Sequence, residues 1–183
     1  MTARIAPQTA PFNDDIQATF DAIMPDGVPP LTLFTTLARD PRLFRKFTAG
    51  GLLDKGHLSL RQREIVIDRV TARCGSEYEW GVHIAFFAVR VELDEAQIYS
   101  LVHGDENDDC WGDSTERLLI RMCDELHTAC GMSDALWQDL SANFSDEAVL
   151  ELLLLAGFYR TVSYLTNATK LPLEAFAARF PEP

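Results

Sequence analysis

The sequence predicts an all-α fold in a single domain, and three observations predict it. Apolar residues recur at three- and four-residue spacing, as in Leu118, Leu119, Met122 and Leu126. Helix-opening signatures follow one another along the chain: Ser59 with Gln62, Asp94 with Gln97 and Asp113 with Glu116. No stretch alternates apolar and polar residues for long enough to make a strand.

Pro and Gly set the element boundaries. A first helix is predicted over 15–24, stopped by Pro25-Asp26-Gly27. Pro29-Pro30 opens a short helix to about Ala38, because proline fits a first turn where its missing N–H costs nothing. Pro41 opens another, to about Gly50-Gly51. Ser59 caps the next, which Gly75 ends as a C-cap, and Ser76 caps its successor. The other two capping boxes open a helix each, and Ser133 and Ser145 are two further N-caps. The segment 146–169 is the most apolar and is predicted to run through the centre, with Pro172 restarting a short closing helix.

Composition narrows the function. The chain has 183 residues, 47% of them hydrophobic, enough to bury a core without disulfide or metal staples. Its 16 Lys+Arg against 28 Asp+Glu leave a net charge of -12, with no basic cluster to neutralise phosphates. Nucleic acid is excluded as a partner, and the same acidity disfavours an anionic membrane surface. Nothing at the N-terminus reads as a signal peptide, and the longest apolar run, Leu150 to Phe158, is broken by Glu151 and is too short to span a bilayer. Cys74, Cys110, Cys123 and Cys130 form no CxxC pair, which fits a reduced, cytoplasmic protein.

The informative stretch is 59–90. On its second helix Trp80, Ile84 and Phe87 make an apolar stripe, and Ser76, Glu79 and His83 follow one step round. Glu79 and His83 are i, i+4 neighbours, so a carboxylate stands beside an imidazole at the edge of an apolar face. That arrangement suits general acid/base work, and a helical hairpin would bring Glu64 against it. On a solvated face the same pair is ordinary and adds only ~0.3 kcal/mol. Further on, Arg160, Tyr164 and Asn167 form a polar stripe at i, i+4, i+7. There Arg160 is placed either to bind a substrate carboxylate or to pair with Glu64 or Glu79 of the hairpin.

The run RQREIVIDRVTARCGSEYEWGVHIAFF resembles the core of the carboxymuconolactone decarboxylase-like family, which includes alkylhydroperoxidase D (AhpD). LVHGDENDDCW, DELH and LLLLAGFYRTVSYLTNATKLPLEAFAARF extend the resemblance from about Leu31 onward, leaving 1–30 as an N-terminal extension. It implies a helical bundle around a central hairpin, assembled as a homo-oligomer. In the hydroperoxidase branch a glutamate precedes a CxxC pair and a histidine follows it. Glu64 and His83 match those positions, whereas the cysteine positions hold Ser76 and Glu79. Without a thiolate and a resolving thiol, peroxide reduction of that type is not expected.

What the resemblance then implies is the branch without the cysteine pair. The expected activity is cofactor-free and metal-free decarboxylation or proton transfer on a small carboxylated lactone or keto compound. Glu64, Glu79 and His83 would be catalytic, with Ser76, Trp80, Arg160 and Tyr164 lining the pocket. Two alternatives stand beside it: a thiol oxidoreductase working from Cys74, and a non-catalytic oligomeric binding protein. Cys123, His127 and Cys130 are soft-metal ligand types, but on one straight helix they span about 10 Å, too far for one zinc ion. The acidic run Asp105, Glu106, Asp108 and Asp109 lacks calcium-loop spacing and reads as a solvated loop.

Overall fold

The computed structural model describes residues 3–183, and among them every regular element is helical. In chain order these are α1 (Asp14–Ile23), α2 (Thr32–Leu37), α3 (Pro41–Ala49), α4 (Leu60–Arg73), α5 (Glu77–Phe87), α6 (Glu95–His103), α7 (Ser114–Ala129), α8 (Asp134–Asn143) and α9 (Asp146–Thr169). The capping boxes Ser59/Gln62 and Asp94/Gln97 form with both reciprocal bonds. Asp113 caps α7 alone, because the Glu116 carboxylate is drawn to the Arg61 guanidinium. The second helix opens at Thr32, so Pro29 and Pro30 precede it and do not form its first turn.

α4 is the axis of the molecule. It packs against α5, α6, α7 and α9, and all eight residues from Glu64 to Thr71 are buried. A helix buried on every side must satisfy its charged residues internally. Arg69 does so: it bonds both Asp124 oxygens and the carbonyls of Ser100, Leu101 and Gly104, tying α4 to α7 and to the end of α6. α9 is long and apolar enough to cross a membrane by length and composition, but its buried residues, among them Leu152, Leu155, Tyr159 and Val162, join the central core. A smaller cluster, Ile16, Phe20, Ala38 and Phe44, fastens α1 to α2 and α3.

Two expectations about the hairpin and tail need correction. Ser76 precedes α5, but its side chain does not cap it. Its Oγ is buried and pairs with Thr166 Oγ1 at 2.8 Å, linking α5 to α9. Beyond Pro172 there is no closing helix; the tail runs across α5 as a strap with a single turn. The Ala178 N–H donates to the Gly81 carbonyl, Arg179 pairs with Glu77, and Phe180 packs on Trp80. These partners on α5 replace the bonds a helix would have made within itself. The close approach requires glycine, since a Cβ on Gly81 would stand 2.2 Å from the Ala178 carbonyl oxygen. Gly75, at φ 63°, makes the left-handed turn between α4 and α5.

Candidate active site

The α4–α5 hairpin brings Glu64 and His83 into contact. His83 Nδ1 lies 2.7 Å from Glu64 Oε2, and its Nε2 lies 3.5 Å from Glu79 Oε1. The imidazole is thus held between two carboxylates, with the stronger bond coming from the neighbouring helix. Glu64, Glu79 and His83 are all buried. Phe87 stacks on the imidazole and Tyr159 meets it edge-on, fixing its plane. Arg63 Nε, 3.2 Å from Glu64 Oε1, engages the other oxygen of that carboxylate.

Electrostatics decide which form of His83 is present. Burial alone pulls the imidazole pKa down, but the charge and hydrogen bond of Glu64, followed by those of Glu79, overcome it and raise His83 to about 10. The magnitudes agree: unit charges about 4 Å apart at an effective dielectric of ~20 attract by roughly 4 kcal/mol, about three pKa units. At neutral pH His83 is therefore an imidazolium, a proton donor at Nε2.

Asp68, one turn beyond Glu64 on α4, is a fourth ionisable group here that the sequence reading did not single out. Burial, reinforced by the Glu64 charge, pushes its carboxyl well above the usual range, and its Oδ1 has no hydrogen-bond partner among the described residues. Its carboxyl therefore favours the protonated form more than an ordinary aspartate does. Its signal was the i, i+4 spacing from Glu64.

Glu79 and His83 line a cavity of about 220 Å³. Its walls are apolar and largely aromatic: Phe34, Phe47, Phe86, Phe87, Phe158 and Tyr159, closed at one end by Ile23, Met24 and Pro25 from the end of α1. Glu79 Oε2 is buried and free of hydrogen bonds to other described residues. At the wall stands Arg90, its guanidinium 5.4 Å over the Phe87 ring and without an ion pair among the described residues. The sequence reading missed Arg90 as well, although His83, Phe87 and Arg90 follow i, i+4, i+7.

The remaining candidates lie elsewhere. Ser76 and Trp80 are buried beside the cavity without lining it, Ser76 against Thr166 and Trp80 beneath Phe180. Arg160 is not paired with the hairpin carboxylates. It donates to the Leu126 and His127 carbonyls at the end of α7 and to the Tyr164 hydroxyl, and Tyr164 itself is mostly exposed. The physical reason is helix phase. On α9, Phe158 and Tyr159 face the His83 cavity, which turns Arg160 toward the last carbonyls of α7, those of His127 and of Leu126, the latter shared with the Cys130 N–H.

This arrangement of helices has been seen before. An uncharacterized peroxidase-related protein from Silicibacter sp. TM1040 superposes with a TM-score of 0.80 at 21% identity, over 98% of this chain and 96% of that one. The alkylhydroperoxidase AhpD core of a peroxidase-related protein from Ralstonia eutropha JMP134 gives 0.80 at 18% identity, over 95% of each chain. The chain has the AhpD-core fold. The debrominase Bmp8 shares it, with a TM-score of 0.76 at 15% identity over 96% of this chain and 95% of that one; a variant of Bmp8 has been solved with 2,3,4-tribromopyrrole. No protein-family model and no curated protein matches the sequence. The resemblance read from the residues is thus matched at the level of the fold.

Proposed function

We propose that this AhpD-core protein is a cofactor-free acid/base enzyme that decarboxylates, or moves a proton on, a small flat carboxylated lactone or keto compound. The observation that carries the reading is the charged His83, held between Glu64 and Glu79 at the wall of an aromatic cavity. The aromatic walls suit a planar, mostly apolar ligand, and Arg90 supplies a guanidinium for its carboxylate.

The proposed step balances as follows. The bond to the carboxylate carbon breaks, carbon dioxide leaves, and its electron pair passes into an enolate. The Nε2–H of His83 donates a hydrogen bond to the enolate oxygen as charge develops there. His83 then gives that proton to the carbon, and Glu79, whose Oε2 is free, returns a proton from solvent to the imidazole. Glu64 holds Nδ1 and fixes the ring, a positioning role.

Screening carboxylated lactones and keto acids for carbon dioxide release, or for solvent deuterium uptake, tests the proposal. Arg90→Gln is expected to raise KM and Glu79→Gln to lower kcat. Turnover unchanged in both Glu79→Gln and His83→Ala would remove these residues from the chemistry, and no turnover of any compound screened would leave the non-catalytic binding reading in its place. Self-association belongs to the same proposal, because Leu150 and Leu154 lie about three-fifths exposed on α9 and a second copy would cover them. Sedimentation as a monomer at micromolar concentration would contradict that part.

A further inference from the structure

A second cavity, of about 190 Å³, opens on the other side of α9 and shares no lining residue with the first. Cys74, at the C-terminal end of α4, lines it, and so do His127, Cys130 and Arg160. Cys74 Sγ lies 3.9 Å from His127 Nδ1, within reach of a sulfur hydrogen bond. Arg160 bonds the end of α7 through Nη1 and Tyr164 through Nε, leaving Nη2 without a hydrogen bond among the described residues. A half-buried thiol, an imidazole and a guanidinium with a spare N–H edge thus share one small, otherwise apolar cavity.

We propose that this cavity is a reactive-thiol site that takes a small carboxylate-bearing disulfide and forms a mixed disulfide at Cys74. His127 Nδ1 accepts the Cys74 proton when the ring carries its own proton on Nε2. The thiolate attacks one sulfur of the incoming disulfide, the old S–S bond breaks, and the departing half leaves as a thiolate that takes the proton back from His127. One disulfide is made as one is broken, so the incoming disulfide is the only co-reactant. Arg160 holds the carboxylate of the bound half.

The neighbouring cysteines show why Cys74 is the one selected. Cys123, also in the cavity wall, is buried, and burial raises its thiol far above the range of a useful nucleophile. Cys130 is exposed at the cavity rim but has no imidazole partner among the described residues. His127 is placed to receive the proton by its 3.9 Å contact, and its own burial, followed by the charges of Arg160 and Arg73, lowers its pKa so that the ring has an unprotonated nitrogen to offer. The net charge of -12 repels anions from the chain as a whole, so a preference for an anionic reagent at Cys74 must come from local cations.

The test treats the intact protein with dithiodipropionate or with the neutral hydroxyethyl disulfide and maps the adducts by mass spectrometry over time. Cys74 is expected to react at least ~10 times faster than Cys130, and faster with the carboxylated reagent than with the neutral one. His127→Gln, a change at a partly exposed position, is expected to remove the lead of Cys74. Arg160→Gln is expected to remove the preference for the carboxylated reagent. Equal or faster labelling of Cys130, equal rates for the two reagents at Cys74, or an unchanged Cys74 rate in His127→Gln would each overturn the proposal.

Discussion

Two histidines on two sides of α9 meet opposite electrostatic environments. His83 is deeply buried, yet it is charged, because Glu64 and Glu79 enclose it. His127 is less buried, yet its pKa is lowered, because desolvation and the charges of Arg160, Arg73 and Arg69 act in the same direction. Burial alone would have ranked them the other way round. The neighbouring charges set the sign, and they suit one imidazole to donate a proton and the other to accept one.

The largest expected effect comes from breaking the first environment. Glu64→Gln should cut turnover on a substrate found by screening by ~10²- to 10³-fold, with kcat affected more than KM. It should also drop the His83 pKa, since the leading favourable interaction is gone and burial remains. The His127 cavity should be unaffected, and a parallel loss of Cys74 reactivity would show that the two sites are coupled.

A second effect is on stability, and its sign follows from the shifts. His83 binds its proton more tightly folded than unfolded, so its contribution is complete below about pH 6.5 and is lost as pH rises towards 10. Asp68, also raised, contributes below the ordinary Asp range and loses that contribution as pH climbs through its elevated value. The melting temperature should therefore fall from neutral to alkaline pH. Asp68→Asn keeps the shape without the ionisation, so it should raise the melting temperature at pH 8 and flatten the decline. An unchanged pH profile in Asp68→Asn would remove Asp68 from the account.

The smallest effect separates the regions through the tail. Gly81→Ala sets a Cβ against the Ala178 carbonyl and should displace the strap from α5, costing about 1–3 kcal/mol. Thermal melts and proteolysis of the C-terminus would report it. His83, on the strapped helix, should titrate differently in this variant, while the Cys74–His127 cavity should label at its normal rate.

What was legible in the sequence was local. Caps and periodicity placed all nine helices of the described residues, and the i, i+4 rule placed Glu79 beside His83. The hairpin contact to Glu64 was anticipated because a single glycine turn joins the two helices. The misreadings were tertiary. Ser76 gave up its capping role for a bond to Thr166, ninety residues away, and the segment after Pro172 found its partners on α5 instead of within a helix. Arg160 was placed beside Glu64 or Glu79 because it is polar on an apolar helix, but the phase of α9 turns it to the end of α7 and the second cavity. Asp68 and Arg90 carried readable spacing and were passed over because a single helix face never shows which groups become enclosed.

The most direct test is a pH titration of the histidine imidazoles by NMR, with His83 and His127 each assigned from its Gln variant. The account predicts that His83 remains protonated beyond pH 9, that Glu64→Gln brings it down, and that His127 titrates below about 6.5. A His83 that titrates near 6.5 and ignores Glu64, or a His127 that titrates above His83, would contradict it.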